Sequence, residues 1–176
     1  VQIGPGEANN SVIGKVIDPI SLQETTLRAN AYSSTLFEKE KTADHDLETK
    51  FLDPTTHVIA SSFRNGTRSE SGDGALWLGV YCASQTLRYE VTRDAQALAN
   101  VKSSLEGLLR LIEITGDPKH FARTMRPARA AQEPGWHRGT GAFANIEWLE
   151  GGNNDIVKGL FYGYATAYKT LCTAPG

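Results

Sequence analysis

A glycine-broken acidic stretch, Ser71-Gly72-Asp73-Gly74, runs directly into a helical pattern that carries Trp77, Tyr81, Gln85, Arg88 and Tyr89. Spacings of three and four put these side chains on one side of a helix. That side is aromatic and polar at once, a composition that suits a lined pocket better than a plain packing seam. The helix is expected over about 74–91, with a break at Thr92-Arg93-Asp94. A second helix is expected over about 95–114, where Leu98, Val101, Leu105, Leu108, Leu109 and Ile112 form an apolar stripe. Gly116-Asp117-Pro118 stops it, with glycine just past the last turn and proline soon after. The short link between the two favours an antiparallel hairpin.

Before this hairpin, residues 1–20 are rich in Gly, Asn and Pro and read as an irregular lead-in. Residues 21–176 read as a single helical domain. Ser21-Leu22-Gln23-Glu24 is a capping box that opens a helix through about Lys39, and Asp44 to Phe51 reads as a short helical turn stopped at Asp53-Pro54. Thr56 to Phe63 is the one strand candidate, through its β-branched residues, and Arg64-Asn65-Gly66-Thr67 marks a turn. Asn65-Gly66-Thr67 and Asn9-Asn10-Ser11 also match the N-glycosylation triplet, which matters only in a eukaryotic secretory setting.

After the hairpin, residues 117–152 read as a long excursion with little regular structure. Its prolines and glycines interrupt any period, while Trp136, Phe143 and Trp148 argue against disorder. A third helix is expected from Ile156 to about Leu171, with Ile156, Leu160, Tyr164 and Tyr168 along one side. Gly159 and Gly163, four apart, would let another helix approach closely. The expected fold is therefore mainly α, built from antiparallel helical hairpins, with a short extended segment near 56–63.

At 176 residues the chain has the length of one domain, long enough to bury a core. A net charge of -2 gives no electrostatic case for nucleic acid or an anionic membrane as partner. No apolar run approaches the roughly 20 residues of a membrane span. The first residue is Val1, consistent with a removed leader or an excised segment. Cys82 and Cys172 are the only cysteines, read either as buried free thiols or as a disulfide between packed helices.

One quasi-repeat carries chemical interest. Ser71-Gly72-Asp73-Gly74 and Gly152-Asn153-Asn154-Asp155 each place glycine and short polar side chains before an aromatic-rich helix. A helix start offers free N–H groups and a positive dipole end, so simple capping is the plain reading of each. The richer reading has both starts meeting at one cleft with Trp77, Tyr81, Trp136, His137, Lys158 and Tyr162.

The segment S-G-D-G-A-L-W-L-G-V-Y-C-A-S-Q-T-L-R-Y-E-V-T resembles an inner-helix signature of large bacterial (α/α) toroid proteins of the six-hairpin-glycosidase-like group. I-T-G-D-P, F-A-R-T-M-R-P and W-L-E-G-G-N-N-D-I-V-K-G-L-F-Y-G-Y-A-T-A-Y continue the similarity over roughly residues 70–172. A full toroid has twelve helices, so this chain would be a part of one, a partial bundle, or a chain completed by another. The resemblance implies a funnel lined by inner helices, with sugar-binding residues near helix ends. On matching positions it points to Asp73, Trp77, Gln85 and Arg88, to Arg123, Arg126, Trp136 and His137, and to Asn154, Asp155 and Lys158.

Glycoside hydrolysis needs two carboxylates, about 5 to 9.5 Å apart. Asp73 and Asp155 are the expected pair, with Glu147 and Glu150 in reserve. Trp77, Tyr81, Trp136 and Trp148 offer platforms for sugar rings, and Arg88, Arg123 and Arg126 suit the carboxylate of an acidic polysaccharide. A lyase would instead use His137 or Tyr81 as base, although a lone His beside Trp is more often a hydrogen-bonded structural residue. The expected function is a carbohydrate-processing or carbohydrate-binding domain. The alternative is a non-catalytic helical interaction module, or a structural segment of a larger protein whose further hairpins are its partners. The sequence has no phosphate loop, no nucleophile elbow, no dinucleotide fingerprint and no metal-ligand spacing, so no cofactor or metal is expected. A secreted or periplasmic location accompanies the carbohydrate reading.

Overall fold

In the computed structural model, residues 31–70 and 72–172 are described. The chain divides into two compact units, Val1–Glu48 and Thr49–Gly176. Helix α1 spans Ala31–Asp46 in the first, and the π-helical turn that follows it, Leu47–Phe51, crosses the boundary. The capping box at 21–24, the lead-in 1–20 and the triplet at Asn9 lie outside the described residues.

The second unit holds three α-helices and two small antiparallel sheets. Helix α2 spans Gly74–Thr92, α3 Ala95–Glu113 and α4 Asn154–Ala167, followed by a π-helical turn Tyr168–Cys172. Their ends are set locally. Arg93 closes α2 in the left-handed region at φ 56, its N–H donating to the Tyr89 carbonyl. Asp94 then caps α3 by accepting from the Gln96 N–H at 3.0 Å. Asn153 caps α4 with one oxygen that accepts from Asp155 N and Ile156 N at 3.1 and 3.0 Å.

Helices α2 and α4 meet backbone to backbone. A Cβ on Gly79 would fall inside the Gly159 carbonyl, and one on Gly163 would lie 3.1 Å from the Gly79 Cα. Leu76 packs against Gly159, Gly79 against Gly159 and Gly163, and Cys82 Sγ lies 4.0 Å from the Gly163 carbonyl. Residue numbers rise together along this seam. The two helices therefore run parallel, and both start at the same end of the unit. Helix α3 returns antiparallel to α2. Its buried face is Ala97, Asn100, Val101, Ser104, Gly107, Leu108 and Leu111, while Leu109 of the expected stripe is 48% exposed. Small residues at 97, 104 and 107 let α3 approach closely, which turns the helix away from the all-leucine face.

The strand expected over 56–63 is mostly not one. Only its end joins β1, Ser62–Arg64, which pairs with β2, Thr67–Ser69. Asn65 at φ 50 and Gly66 at φ 78 make the expected turn a tight hairpin of two left-handed residues. Val58, Ile59 and Ala60 are buried as an irregular segment, held by one bridge between Ile59 and Leu52.

The expected irregular excursion is instead a three-stranded sheet. Strands β3 (Thr124–Pro127), β4 (Trp136–Arg138) and β5 (Ile146–Leu149) are ordered β3-β5-β4, all antiparallel. Segment 122–124 ties the unit together. Ala122 N–H donates to the Leu111 carbonyl, Arg123 N–H to the Leu149 carbonyl, and the Arg123 carbonyl accepts from the first turn of α2 at Ala75. No described helix is long and apolar enough to cross a membrane.

Candidate functional site

Strand alternation gives the three-stranded sheet two unlike faces. Register pairs Arg126 with Glu147 and Glu147 with Arg138, so these share one face with Trp136, the partner of Leu149. On that face Arg126 is 4% and Glu147 2% exposed, bonded Nε to Oε1 at 2.5 Å. The guanidinium also lies 3.5 Å from the Trp136 ring centroid and reaches Glu133 at 3.2 Å. Arg129 holds that glutamate in turn at 2.7 Å and helps keep its carboxyl below the usual range. This face is closed on itself.

The opposite face carries Met125, Trp148 and His137 in one row. His137 stacks on Trp148, with ring centroids 4.6 Å apart, and its Nε2 sits 2.8 Å from Glu150. Trp148 and Glu150 line a cavity of about 550 Å³, together with Thr115, Asp117, His120 and Phe121. Gly151 and Gly152, just ahead of the α4 cap, complete it, so the cavity lies at the start of α4 and the end of α3.

The loop after α3 is braced from within. Asp117 accepts from the Lys119 N–H at 2.9 Å and from His120 Nδ1 at 2.8 Å. These bonds, the backbone one first, hold its carboxyl below the usual range, so it is ionised at neutral pH. The cavity thus presents two aromatic walls and two carboxylates each bonded to an imidazole, while the Thr115 hydroxyl is bonded within its own loop.

The residues expected to form one cleft go to different places. Asp73 and Asp155 do begin parallel neighbouring helices, but neither lines the cavity. Asp73 makes no cap bond with its side chain; it faces Arg123 at 3.4 Å, whose Nε donates to the Gly72 carbonyl at 3.0 Å. Asp155 pairs with Lys158 at 3.1 Å, and Asn154 is an exposed first-turn residue. Trp77 is 49% exposed, whereas Tyr81 is 4% exposed in the core. Gln85 is buried, and its amide oxygen accepts from Asn100 at 3.1 Å and from Arg88 at 3.4 Å; Arg88 also binds Asp94 at 2.6 Å. The polar half of the α2 face therefore latches the α2–α3 hairpin, and it is not a pocket lining. Arg126 and Trp136 lie in the closed sheet face.

His137 and the reserve Glu150 do reach the cavity region, with Trp148 as the platform. Asp117, His120, Phe121 and Thr115 were missed. Gly116-Asp117-Pro118 reads as a helix stop, and the Asp117-to-His120 spacing that braces the turn is the signal it contained. A second concavity, an apolar groove of about 390 Å³, lies between the later turns of α3 and α4 and includes Leu105, Leu109, Tyr164 and Tyr168. Both cysteines are free, Cys82 buried and Cys172 exposed. Among the described residues no group of three or more His, Cys, Asp or Glu is arranged to hold a metal ion. No family model, curated protein or solved structure matches this chain.

Proposed function

We propose that the cavity between the α3–β3 and β5–α4 loops binds carbohydrate. The observation that carries this reading is its lining. Trp148 and Phe121 offer apolar faces to the C–H faces of a sugar ring, and Asp117, His120 and Glu150 offer partners for its hydroxyls. Mixed walls of this kind, with few polar groups fixed by their own bonds, are the usual make-up of a small-molecule site. The acid pair moves from Asp73 and Asp155 to Asp117 and Glu150, the two carboxylates that share the cavity. Hydrolysis of a glycosidic bond would draw its two carboxylates from Asp117, already ionised, and Glu150. A polysaccharide ligand brings with it a secreted or periplasmic location.

The same reading takes the chain as part of an (α/α) toroid. Parallel α2 and α4 would be successive inner helices, α3 the outer helix between them, and the cavity would lie at the funnel end. One more observation favours further helices, in this protein or another chain. Trp77, Val80, Leu87 and Val91 are all exposed on α2 at helical spacing, a stripe that a neighbouring helix would cover. Light scattering tests that part: a strictly monomeric, non-aggregating chain at high concentration counts against it.

Calorimetric titration with neutral oligosaccharides, on the wild type and on Trp148→Ala, tests the cavity. Binding that weakens in the variant supports it, and no heat with any glycan overturns it.

A further inference from the structure

The charges around the cavity say which sugars it suits. Its lining contains two carboxylates, Asp117 and Glu150, and no Lys or Arg. The imidazoles nearby, His120 and His137, are each hydrogen-bonded to one of those carboxylates. With both carboxylates ionised the four groups are not net positive, whatever the state of the two imidazoles.

The cations that the sequence suggested for a sugar carboxylate are engaged elsewhere, and Lys119, exposed on the same loop as Asp117 and His120, is not among the lining residues. Arg123 is held by Asp73 and the Gly72 carbonyl, and Arg126 is enclosed with Glu147 and Glu133. Arg88 is bonded to Asp94, and Lys158 to Asp155. An acidic polysaccharide would bring its charge to two carboxylates with no guanidinium to offset them. A ligand carrying an ammonium group meets the reverse. Carboxylates attract it, and the faces of Trp148 and Phe121 add the attraction of an aromatic ring for a cation.

We infer that the cavity selects cationic amino sugars, oligosaccharides with free amines such as glucosamine oligomers, over neutral and acidic ones. This rests on the carbohydrate reading above and narrows it. Recognition requires no new group: one ring stacks on Trp148, and the ammonium lies against Asp117 or Glu150.

Calorimetry at neutral pH and low salt, with glucosamine, N-acetylglucosamine and galacturonate oligomers of equal length, tests it. The first two share a skeleton and differ in charge. The glucosamine oligomer is expected to bind about fivefold or more tightly than its acetylated counterpart, with galacturonate weakest. High salt is expected to shrink the gap. In the double variant Asp117→Asn, Glu150→Gln the preference is expected to fall within about twofold, with residual binding of the acetylated oligomer. Equal binding of the first two, or tightest binding of galacturonate, overturns the selectivity and leaves the carbohydrate site standing. Silence with all three removes the site itself.

Discussion

The two faces of the three-stranded sheet are built from the same residue types and end in opposite states. Each has a tryptophan and a glutamate next to a basic side chain. On one face Arg126 lies over Trp136, bonded to Glu147, and water is shut out. On the other, His137 lies over Trp148, bonded to Glu150, and the group stays half-exposed beside a cavity. Burial and the number of acidic partners separate them. The arginine has enough donors to satisfy two glutamates and can be buried. The imidazole satisfies one carboxylate and leaves the wall open to a ligand.

The largest effect should come from opening the closed face. Arg126→Ala leaves Glu147 buried without its partner and is expected to cost about 3–5 kcal/mol in urea unfolding. Replacing both, as Arg126→Met with Glu147→Leu, should restore most of that loss. Full stability in the single variant would mean the two faces do not differ as described.

The two cysteines repeat the contrast. Cys82 is buried against α4, and burial pushes its thiol up from 9.0 to about 11. Because the folded state holds that proton more tightly, its contribution is complete below pH 9 and lost as pH rises from about 9 to about 11. Native protein treated with a thiol reagent at neutral pH should be modified at exposed Cys172 and spared at Cys82, as read by mass spectrometry.

Smaller changes in stability are expected on the open face. Glu150→Gln and His137→Ala each remove one exposed pair and should alter unfolding by no more than about 1 kcal/mol. If either variant unfolds as readily as Arg126→Ala, the open face is structural too.

How much of this could be read from the chain follows the distance between partners. Helices α2 and α3 were legible almost to the residue, because Arg93-Asp94 and Gly116 are local stop and start signals, whereas α4 starts two residues before the expected Ile156 and gives way at Tyr168 to a π-helical turn. The close α2–α4 approach was foreshadowed by Gly159 and Gly163. The sheet was not, since strands of three or four residues are too short to display alternation. Arg126 and Glu147 stand 21 positions apart, and nothing local shows that they pair. The α2 face misled for a related reason: Gln85 and Arg88 look like pocket residues until Asn100 and Asp94 come round on α3. At the cavity, Trp148, His137 and Glu150 were visible as types, whereas Asp117 was hidden by its second role as part of a helix stop.

The most direct measurement compares Trp136→Ala with Trp148→Ala, reading both unfolding free energy and affinity for one oligosaccharide. A crossed result is expected. Trp136→Ala loses about 3–5 kcal/mol of stability. Trp148→Ala loses only about 1–2 kcal/mol of stability but weakens binding by about tenfold or more. Unchanged affinity in Trp148→Ala, with the fold intact, would contradict it.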